Sequence, residues 1–207
     1  MVINVASAKP KEVSIGLRAK TARAIAVVLS GPASSPRFIR RTELSLADPA
    51  DPATRQPYHE VMDLPWEGAK IAVRNINARI EAISSKALAR LVGELEAQGF
   101  TVCCIAIVGA GNRDLQRIGS THIRAHAAEG VLFRHVLEVA AGANNLKYRA
   151  FDERVLDQIA EAELKRTPAD LKNQLAEIGR IAGSPWRADE KAAATVAWLA
   201  LAAREKK

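Results

Sequence analysis

The chain has 207 residues, which is enough for one domain with a substantial apolar core. Apolar residues make up 48% and charged residues 26%, a composition that excludes low-complexity and largely disordered proteins. The formal net charge is +7, which permits binding to nucleic acid or to another anionic partner without requiring it.

The sequence also bears on where the protein functions. The first residues, MVINVASAKPKE, lack the apolar stretch of a signal peptide, and no apolar run reaches membrane-spanning length. Cys103 and Cys104 are adjacent, and neighbouring residues of a strand point to opposite faces, so no disulfide is expected between them. We therefore predict a cytoplasmic protein with no membrane partner.

Three β-type segments open the chain after a loose tail at residues 1–11. Residues 13–18 and 24–29 are apolar runs separated by a short polar link, and residues 37–46 alternate as a third strand with a basic outer face. These features predict three successive antiparallel strands. Residues 47–65 are rich in proline turns and long for a linker, which is typical of functional loops.

Helices and two further strands fill the rest of a single domain at residues 12–207. A helical pattern over 66–98 precedes a continuous apolar run at 100–108, as expected for a central strand covered on both faces. A helix over 114–141 and a short strand over 146–151 follow. Turn and capping signals then predict three more helices, at about 153–164, 169–181 and 186–204.

A polar group interrupts the apolar stripe of the helix predicted at 114–141. His122, His126 and Glu129 stand at positions i, i+4 and i+7, which fall in one sector of a helix. Buried polar side chains are costly unless they have partners. We therefore expect a metal, a phosphate, a substrate or other side chains against this sector.

Two imidazoles one helical turn apart can hold a divalent transition metal such as Zn²⁺, Mn²⁺ or Fe²⁺. Glu129 would be the third ligand, or the partner that fixes a histidine tautomer. Further donors are His59 in the segment QPYH, Asp189 and Glu190. The alternative is a hydrogen-bonded His–Glu cluster without metal that fastens the helix to the linker.

The order of elements resembles the ribonuclease H-like fold, the architecture of Holliday-junction resolvases of the RuvC type. GLRAKTARAIAVV resembles the glycine–strand–turn–strand opening of that fold, and RADEKAAATVAWLAL resembles its final helix. The segments QPYH, HAAEGVLFR and PWRADEK also resemble an uncharacterised bacterial protein family. The resemblance implies an α/β fold whose mixed sheet has three antiparallel strands, then parallel strands, with helices on its faces. It also implies nucleic acid as a partner.

The acidic residues depart from the pattern of that superfamily, whose nucleases hold divalent cations with carboxylates. The resemblance places the first carboxylate just after the opening glycine, where this chain has Arg18. The strand FTVCCIAIV contains no acid, and Ala192 stands three residues after Asp189. An arginine repels Mg²⁺ and attracts phosphate, so the usual two-metal nuclease is disfavoured.

Other charged residues are candidates for ligand binding. Arg134 could share a phosphate with Arg18, or form an ion pair with Glu138 one helical turn away. Glu190 and Lys191 could line the same pocket or be ordinary helix residues. The arginines of the third strand could follow a phosphate backbone or protect an edge strand from pairing.

Two functions from different classes are compatible with these residues. In the first, the protein acts on nucleic acid or another phosphate-containing ligand, with a histidine as general base or metal ligand and Arg18 holding phosphate. Its catalytic site would consist of His122, His126, Glu129 and Asp189. In the second, the protein is a non-catalytic module that binds nucleic acid or protein and has lost the acidic metal site. The first requires the histidines, Arg18 and Asp189 to meet in space.

Overall fold

A computed structural model describes residues 11–205; the predicted tail therefore lies outside the described residues, except for Lys11, which begins the first strand. The strands of the described part are β1 (Lys11–Lys20), β2 (Arg23–Ser30), β3 (Arg37–Ser45), β4 (Phe100–Gly109) and β5 (Tyr148–Asp152). Its helices are α1 (Trp66–Ala72), α2 (Arg74–Ala97), α3 (Thr121–Ala143), α4 (Leu156–Leu164), α5 (Pro168–Ala182) and α6 (Ala188–Glu205).

The five strands form one mixed sheet in the order β3-β2-β1-β4-β5. β1 pairs antiparallel with β2, which pairs antiparallel with β3. β4 lies parallel to β1, and β5 lies parallel to β4. Because helices cover both faces of this sheet, the predicted α/β architecture, with three antiparallel strands followed by parallel strands, is confirmed.

Successive side chains of β1 point to opposite faces of the sheet, as in any pleated strand. Val13, Ile15 and Leu17 pack in the core beneath α2 and α3. On the other face, Ser14 Oγ donates to the Ala197 carbonyl of α6 at 2.7 Å. Gly16 lies beneath the same helix, so close that an added Cβ would stand 2.6 Å from the Ala197 nitrogen. The opening glycine is therefore required for α6 to approach β1.

Two predicted helices have different boundaries in the structure. The helix predicted at 66–98 is divided, because Val73 separates α1 from α2. The helix predicted from residue 114 begins only at Thr121, since Ser120 caps it by accepting a hydrogen bond from the Ile123 nitrogen at 3.3 Å. Residues 110–120 therefore form a loop that contains only a short 3₁₀ turn.

The arginines of edge strand β3 make contacts within the chain. Arg41 donates to the carbonyls of Gly183 and Ser184 at 3.2 and 3.1 Å. Arg40 forms an ion pair with Glu94 of α2 at 2.7 Å. These contacts hold the loop before α6 and the helix α2 against β3. Among the residues described, no helix has the length and apolar character needed to cross a membrane.

Candidate functional site

Three histidines from two distant segments meet at the surface. His59 lies in the linker before α1, and His122 and His126 lie on the first turns of α3. One ligand nitrogen of each ring lies within 4.8 Å of the other two. The ring centroids are 4.3 Å apart for His59 and His126, 4.6 Å for the two α3 histidines, and 5.2 Å for His59 and His122. We call this group the histidine cluster; its three nitrogens could hold a metal ion.

Glu129 lies behind the histidine cluster and is fully buried. A carboxylate oxygen can only accept, so His59 Nδ1 donates to Glu129 Oε1, at 2.8 Å. The backbone nitrogen of His59 donates to the same oxygen at 3.2 Å. The other carboxylate oxygen, Oε2, and the Nε2 atom of His59 are buried without a hydrogen-bond partner in the structure. One acid thus orients His59 and retains one buried oxygen without a partner.

Packing around the linker fixes the position of His59. The neighbouring Tyr58 stacks on Trp66 with ring centroids 5.6 Å apart, and the Arg124 guanidinium lies 5.8 Å from the Trp66 ring. Burial raises the pKa of Tyr58 above its usual value. Upstream, Arg79 of α2 pairs with Asp51 at 2.5 Å. The long linker is therefore fastened to α2 and α3 on both sides of His59.

The two histidines of α3 are exposed, and their expected position in the core stripe is wrong. The inward residues of this half of α3 are Ala125, Ala128 and Glu129, which places His122 and His126 at the border of the buried face. The error arises because the prediction of a helix from residue 114 adds Leu115 and Ile118 to the apolar stripe. The extended stripe then includes the sector of His122 and His126, although α3 begins only at Thr121. Only Glu129 of the predicted polar group is buried.

A second group of charges lies where β1 ends and α6 begins. Arg18 Nε is 3.3 Å from Asp189 Oδ1, and the same guanidinium contacts the carboxylate of Glu153. Lys20 Nζ is 3.4 Å from Asp189 Oδ1. We call these four residues the ion-pair cluster. Arg18, Glu153 and Asp189 also line a cavity of about 440 Å³ that α4, α5 and α6 surround.

The carboxylate metal centre that this fold implies does not fit the ion-pair cluster. Asp189 and Glu153 are both paired with Arg18, and Lys20 is a second cation beside Asp189. Two side-chain cations thus already neutralise two carboxylates. A divalent ion would have to displace them and would stand against a guanidinium.

The predicted catalytic residues are divided between these two groups. α3 packs on the face of the sheet formed by Val13, Ile15 and Leu17, whereas α6 packs on the opposite face, over Ser14 and Gly16. The histidine cluster with Glu129 therefore belongs to one face, and Asp189 with Arg18 belongs to the other. The structure does not combine them into one pocket.

Two of the remaining candidates, Glu190 and Arg134, have structural contacts within the chain. Glu190 is buried and its Oε2 accepts the Arg187 backbone N–H at 2.8 Å, which caps the start of α6. Arg134 Nε lies 3.1 Å from Glu138 Oε1, the ion-pair alternative considered for it, and its Nη2 donates to Asn112 at 2.6 Å. Lys191 is exposed and lines the cavity beside Asp189.

Sequence reasoning missed the partners Lys20 and Glu153 of the ion-pair cluster. Glu153 follows β5 directly, and β5 lies next to β4 with the same direction. The carboxyl ends of parallel strands meet at one edge of a sheet, so this acid could have been placed near the end of β1 once the strand order was predicted. Lys20 is the last residue of β1, two residues after Arg18, so it could have been placed at the same edge of the sheet.

The cysteine pair also differs from expectation. A register shift between β1 and β4 places Cys103 in a bulge, with Val102 opposite Val13 and Cys104 opposite Ser14. The two thiols consequently lie 3.3 Å apart instead of on opposite faces, although both are free. A hydrogen bond from Cys104 lowers the pKa of Cys103 to about 7, while the same contact and burial raise the pKa of Cys104.

Comparison with known proteins supports the fold of the chain, but not a specific activity or substrate. No protein-family model matches the chain, and no curated protein sequence is similar to it. The structure of Thermus thermophilus RuvC in complex with a Holliday-junction substrate is 13% identical, with 94% of this chain and 96% of that chain covered and a TM-score of 0.53.

Two further similar structures are more distant by TM-score. A second Thermus thermophilus RuvC structure is 15% identical over 94% of this chain and 96% of that chain, with a TM-score of 0.49. The yeast mitochondrial Holliday-junction resolvase Ydc2 is 11% identical over 97% and 85%, with a TM-score of 0.43. The similarity to the junction-bound RuvC structure, with its TM-score of 0.53, shows that the chain has the predicted ribonuclease H-like fold. The resemblance to an uncharacterised bacterial family stays a prediction.

Proposed function

We propose that this protein is a single ribonuclease H-like domain, from residue 12 to 207, that binds nucleic acid without the two-metal nuclease chemistry of its fold. The observation that carries the proposal is the ion pairing of Asp189 with Arg18 and Lys20. A carboxylate that is already neutralised by two side chains is not available to hold Mg²⁺. The cytoplasm is the proposed location, since both cysteines are free thiols.

Nucleic acid is the proposed partner because of charge and fold together. The net charge is +7, and the fold is shared with a RuvC structure that contains a Holliday-junction substrate. Ligands of open α/β sheets bind beyond the carboxyl ends of the strands. Exposed basic side chains stand there, with Arg113 in the loop after β4, and Arg187 and Lys191 at the start of α6. These side chains are suited to phosphate contacts.

A divalent transition metal is the proposed cofactor instead of Mg²⁺. Imidazole nitrogens suit Zn²⁺ and its neighbours, whereas Mg²⁺ prefers oxygen ligands. A protein that acts on a phosphate-containing ligand at the histidine cluster is the second candidate function, and the exposure of His122 and His126 favours it. In both cases the ion-pair cluster is not the reactive centre.

Fluorescence anisotropy with labelled duplex, single-stranded and four-way junction DNA, and with RNA, tests the proposed partner. Affinity should fall by at least about tenfold as salt rises from about 50 to about 200 mM. The double variant Arg113→Glu, Lys191→Glu should bind weakly and lower the salt slope by about two. The matched variant Lys86→Glu, Lys147→Glu carries the same charge change on exposed residues elsewhere and should retain most of the affinity. Equal losses in the two variants, or no binding to any of the probes, would overturn the proposal.

A further inference from the structure

We propose that His59, His122 and His126 bind one Zn²⁺-like ion through three imidazole nitrogens, with Glu129 as a positioning residue and a fourth coordination position open to solvent. This inference rests on the proposed cofactor and is independent of nucleic-acid binding. It also differs from the ligand set expected from the sequence, because His59 takes the place that Glu129 would have had.

The contact between His59 and Glu129 selects the ligand atom of that ring. Nδ1 of His59 carries the proton that Glu129 Oε1 accepts at 2.8 Å. In the neutral ring the lone pair is then on Nε2, which is buried and has no hydrogen-bond partner among the described residues. Histidines that bind metals commonly donate their other ring N–H to a carboxylate, which fixes the tautomer and strengthens the ligand. His59 and Glu129 have this arrangement already.

The burial of Glu129 provides the second argument. Its side chain is fully buried, and Oε2 makes no hydrogen bond within the described part of the chain. A carboxylate in such a position is costly unless a positive charge lies nearby. A divalent ion on the far side of the His59 ring would supply that charge. In the ion-pair cluster, by contrast, the positive charge comes from the side chains of Arg18 and Lys20, which pair with the acids directly.

The geometry of the three rings is close to that of a metal site. Nitrogens that share a tetrahedral Zn²⁺ lie about 3.4 Å apart, since each is about 2.1 Å from the ion. In the histidine cluster, one ring nitrogen of each histidine lies within 4.8 Å of the other two. His122 and His126 are exposed and one helical turn apart, so small rotations of their rings bring the nitrogens to the required separation. His59 is the fixed member of the set.

The exposure of two ligands determines the kind of site. Structural zinc sites are closed by four protein ligands, whereas catalytic sites keep a position for water. Three histidines supply three positions, and the exposed side of His122 and His126 leaves the fourth to solvent. Water bound there would be activated by the ion, which is the chemistry of metal-dependent hydrolysis.

Zinc titration of the full-length protein, after dialysis against a chelator, tests the ligand set. We expect one Zn²⁺ per chain by calorimetry and by elemental analysis after gel filtration. His122→Ala and His126→Ala should each weaken zinc binding by more than about 100-fold. This loss exceeds the roughly 10- to 100-fold expected when a residue that only hydrogen-bonds to a metal ligand is replaced. His135→Ala is the matched control, because His135 is exposed on the same helix but outside the cluster, and it should bind zinc normally. Absence of stoichiometric zinc in the wild-type protein would overturn the inference.

Variants of the buried pair test the role of Glu129. Glu129→Gln keeps the shape of the side chain and an acceptor for His59, and should weaken zinc binding by about 10- to 100-fold. His59→Ala should abolish stoichiometric binding, with circular dichroism confirming that it remains folded. Zinc binding retained in a folded His59→Ala protein would refute this ligand set even if the protein binds metal elsewhere.

Cobalt substitution tests the open position. Co²⁺ in place of zinc gives a visible absorption spectrum that depends on its ligands, and azide should change that spectrum by binding at the fourth position. A spectrum that azide leaves unchanged would contradict an open site. Anisotropy with nucleic acid is measured on the same samples. Zinc binding without nucleic-acid binding would contradict only the proposed partner, and the reverse result would contradict only the metal site.

Discussion

Glu129, behind the histidine cluster, is fully buried, whereas Asp189 and Glu153 of the ion-pair cluster are partly exposed. The two sites also differ in how these acids are neutralised. In the ion-pair cluster, Asp189 and Glu153 have cationic side chains as partners. Behind the histidine cluster, Glu129 is more deeply buried, and its Oε2, like Arg18 Nη1 of the ion-pair cluster, has no hydrogen-bond partner among the described residues. A charged group that the protein itself neutralises is typical of structure, and one that it leaves incomplete is typical of a ligand site.

This difference also explains why a ribonuclease H-like fold need not imply nuclease chemistry. The fold brings the end of β1 to the start of α6, and Arg18 is close enough to Asp189 for an ion pair. With a carboxylate at residue 18, the same geometry would leave two acids to share a cation. One change of side-chain charge converts a potential metal centre into an internal salt bridge.

The largest expected effect concerns the approach of α6 to β1, which forms the ion-pair cluster. In Gly16→Ala, the new Cβ would lie against the Ala193 carbonyl and 2.9 Å from Ala197 Cβ. We expect the free energy of unfolding to fall by at least about 2 kcal/mol, because backbone must move. Chemical denaturation measures this loss.

Gly93→Ala is the control, since a Cβ at this exposed position of α2 meets nothing within 4 Å. It should stabilise the protein by up to about 1 kcal/mol. A Gly16→Ala protein as stable as wild type would show that α6 does not require the close contact.

Zinc should stabilise the folded protein through the histidine cluster. At a zinc concentration about 100 times the Kd, the free energy of unfolding should rise by about 2.7 kcal/mol in the wild-type protein. His122→Ala should remove this gain without lowering the stability of the metal-free protein, because His122 is exposed. Thermal unfolding with and without zinc measures both values. An equal gain in the variant would assign the effect to another site.

Replacement of Arg18 tests whether the ion-pair cluster is structural. Arg18→Met leaves Glu153 and Asp189 near each other without the guanidinium, whose side chain is only 14% exposed. We expect a loss of about 1 to 3 kcal/mol, reduced from the buried-pair range by the partial exposure of both acids. Arg23→Met is the matched control, because Arg23 pairs with Glu43 at 2.6 Å on the surface, and it should cost at most about 1 kcal/mol. Similar losses in both variants would refute a special role for Arg18.

Much of the fold was predictable because its signals are local. The apolar runs of β1, β2 and β4 and the N-terminal cap of α5 lie within single segments of sequence, and the structure has them within a few residues. The start of α3 was not predicted, since Ser120 competes as a cap against a longer helical pattern.

The candidate site was only partly predictable, because its members are far apart in the chain. Residues 59 and 129 are 70 positions apart, so their hydrogen bond depends on how the linker packs against α3. The pair His122 and His126 was visible as an i, i+4 spacing. The exposure of these two histidines could not be predicted without the correct start of α3. The distance between them and Asp189 could not be predicted without knowing which face of the sheet α6 covers.

The smallest expected effect concerns the cysteine pair. Here Cys104 stabilises the Cys103 thiolate by a hydrogen bond, as Arg18 stabilises the acids of the ion-pair cluster. Because the hydrogen bond from Cys104 lowers the pKa of Cys103 to about 7, the Cys103 thiolate should predominate above that pH. Alkylation by iodoacetamide, followed by peptide mass spectrometry, should show a rate for Cys103 that rises through about pH 7. Cys104 should react slowly, since its pKa is raised.

Cys104→Ala removes the donor and should move the midpoint of Cys103 alkylation to higher pH, with little change in stability because the two side chains are similar in size. Cys104→Ser keeps a hydroxyl donor and should leave the midpoint closer to that of the wild type. A midpoint that is the same in the wild type and in both variants would assign the lowered pKa of Cys103 to Arg204, the nearby cation, instead of Cys104.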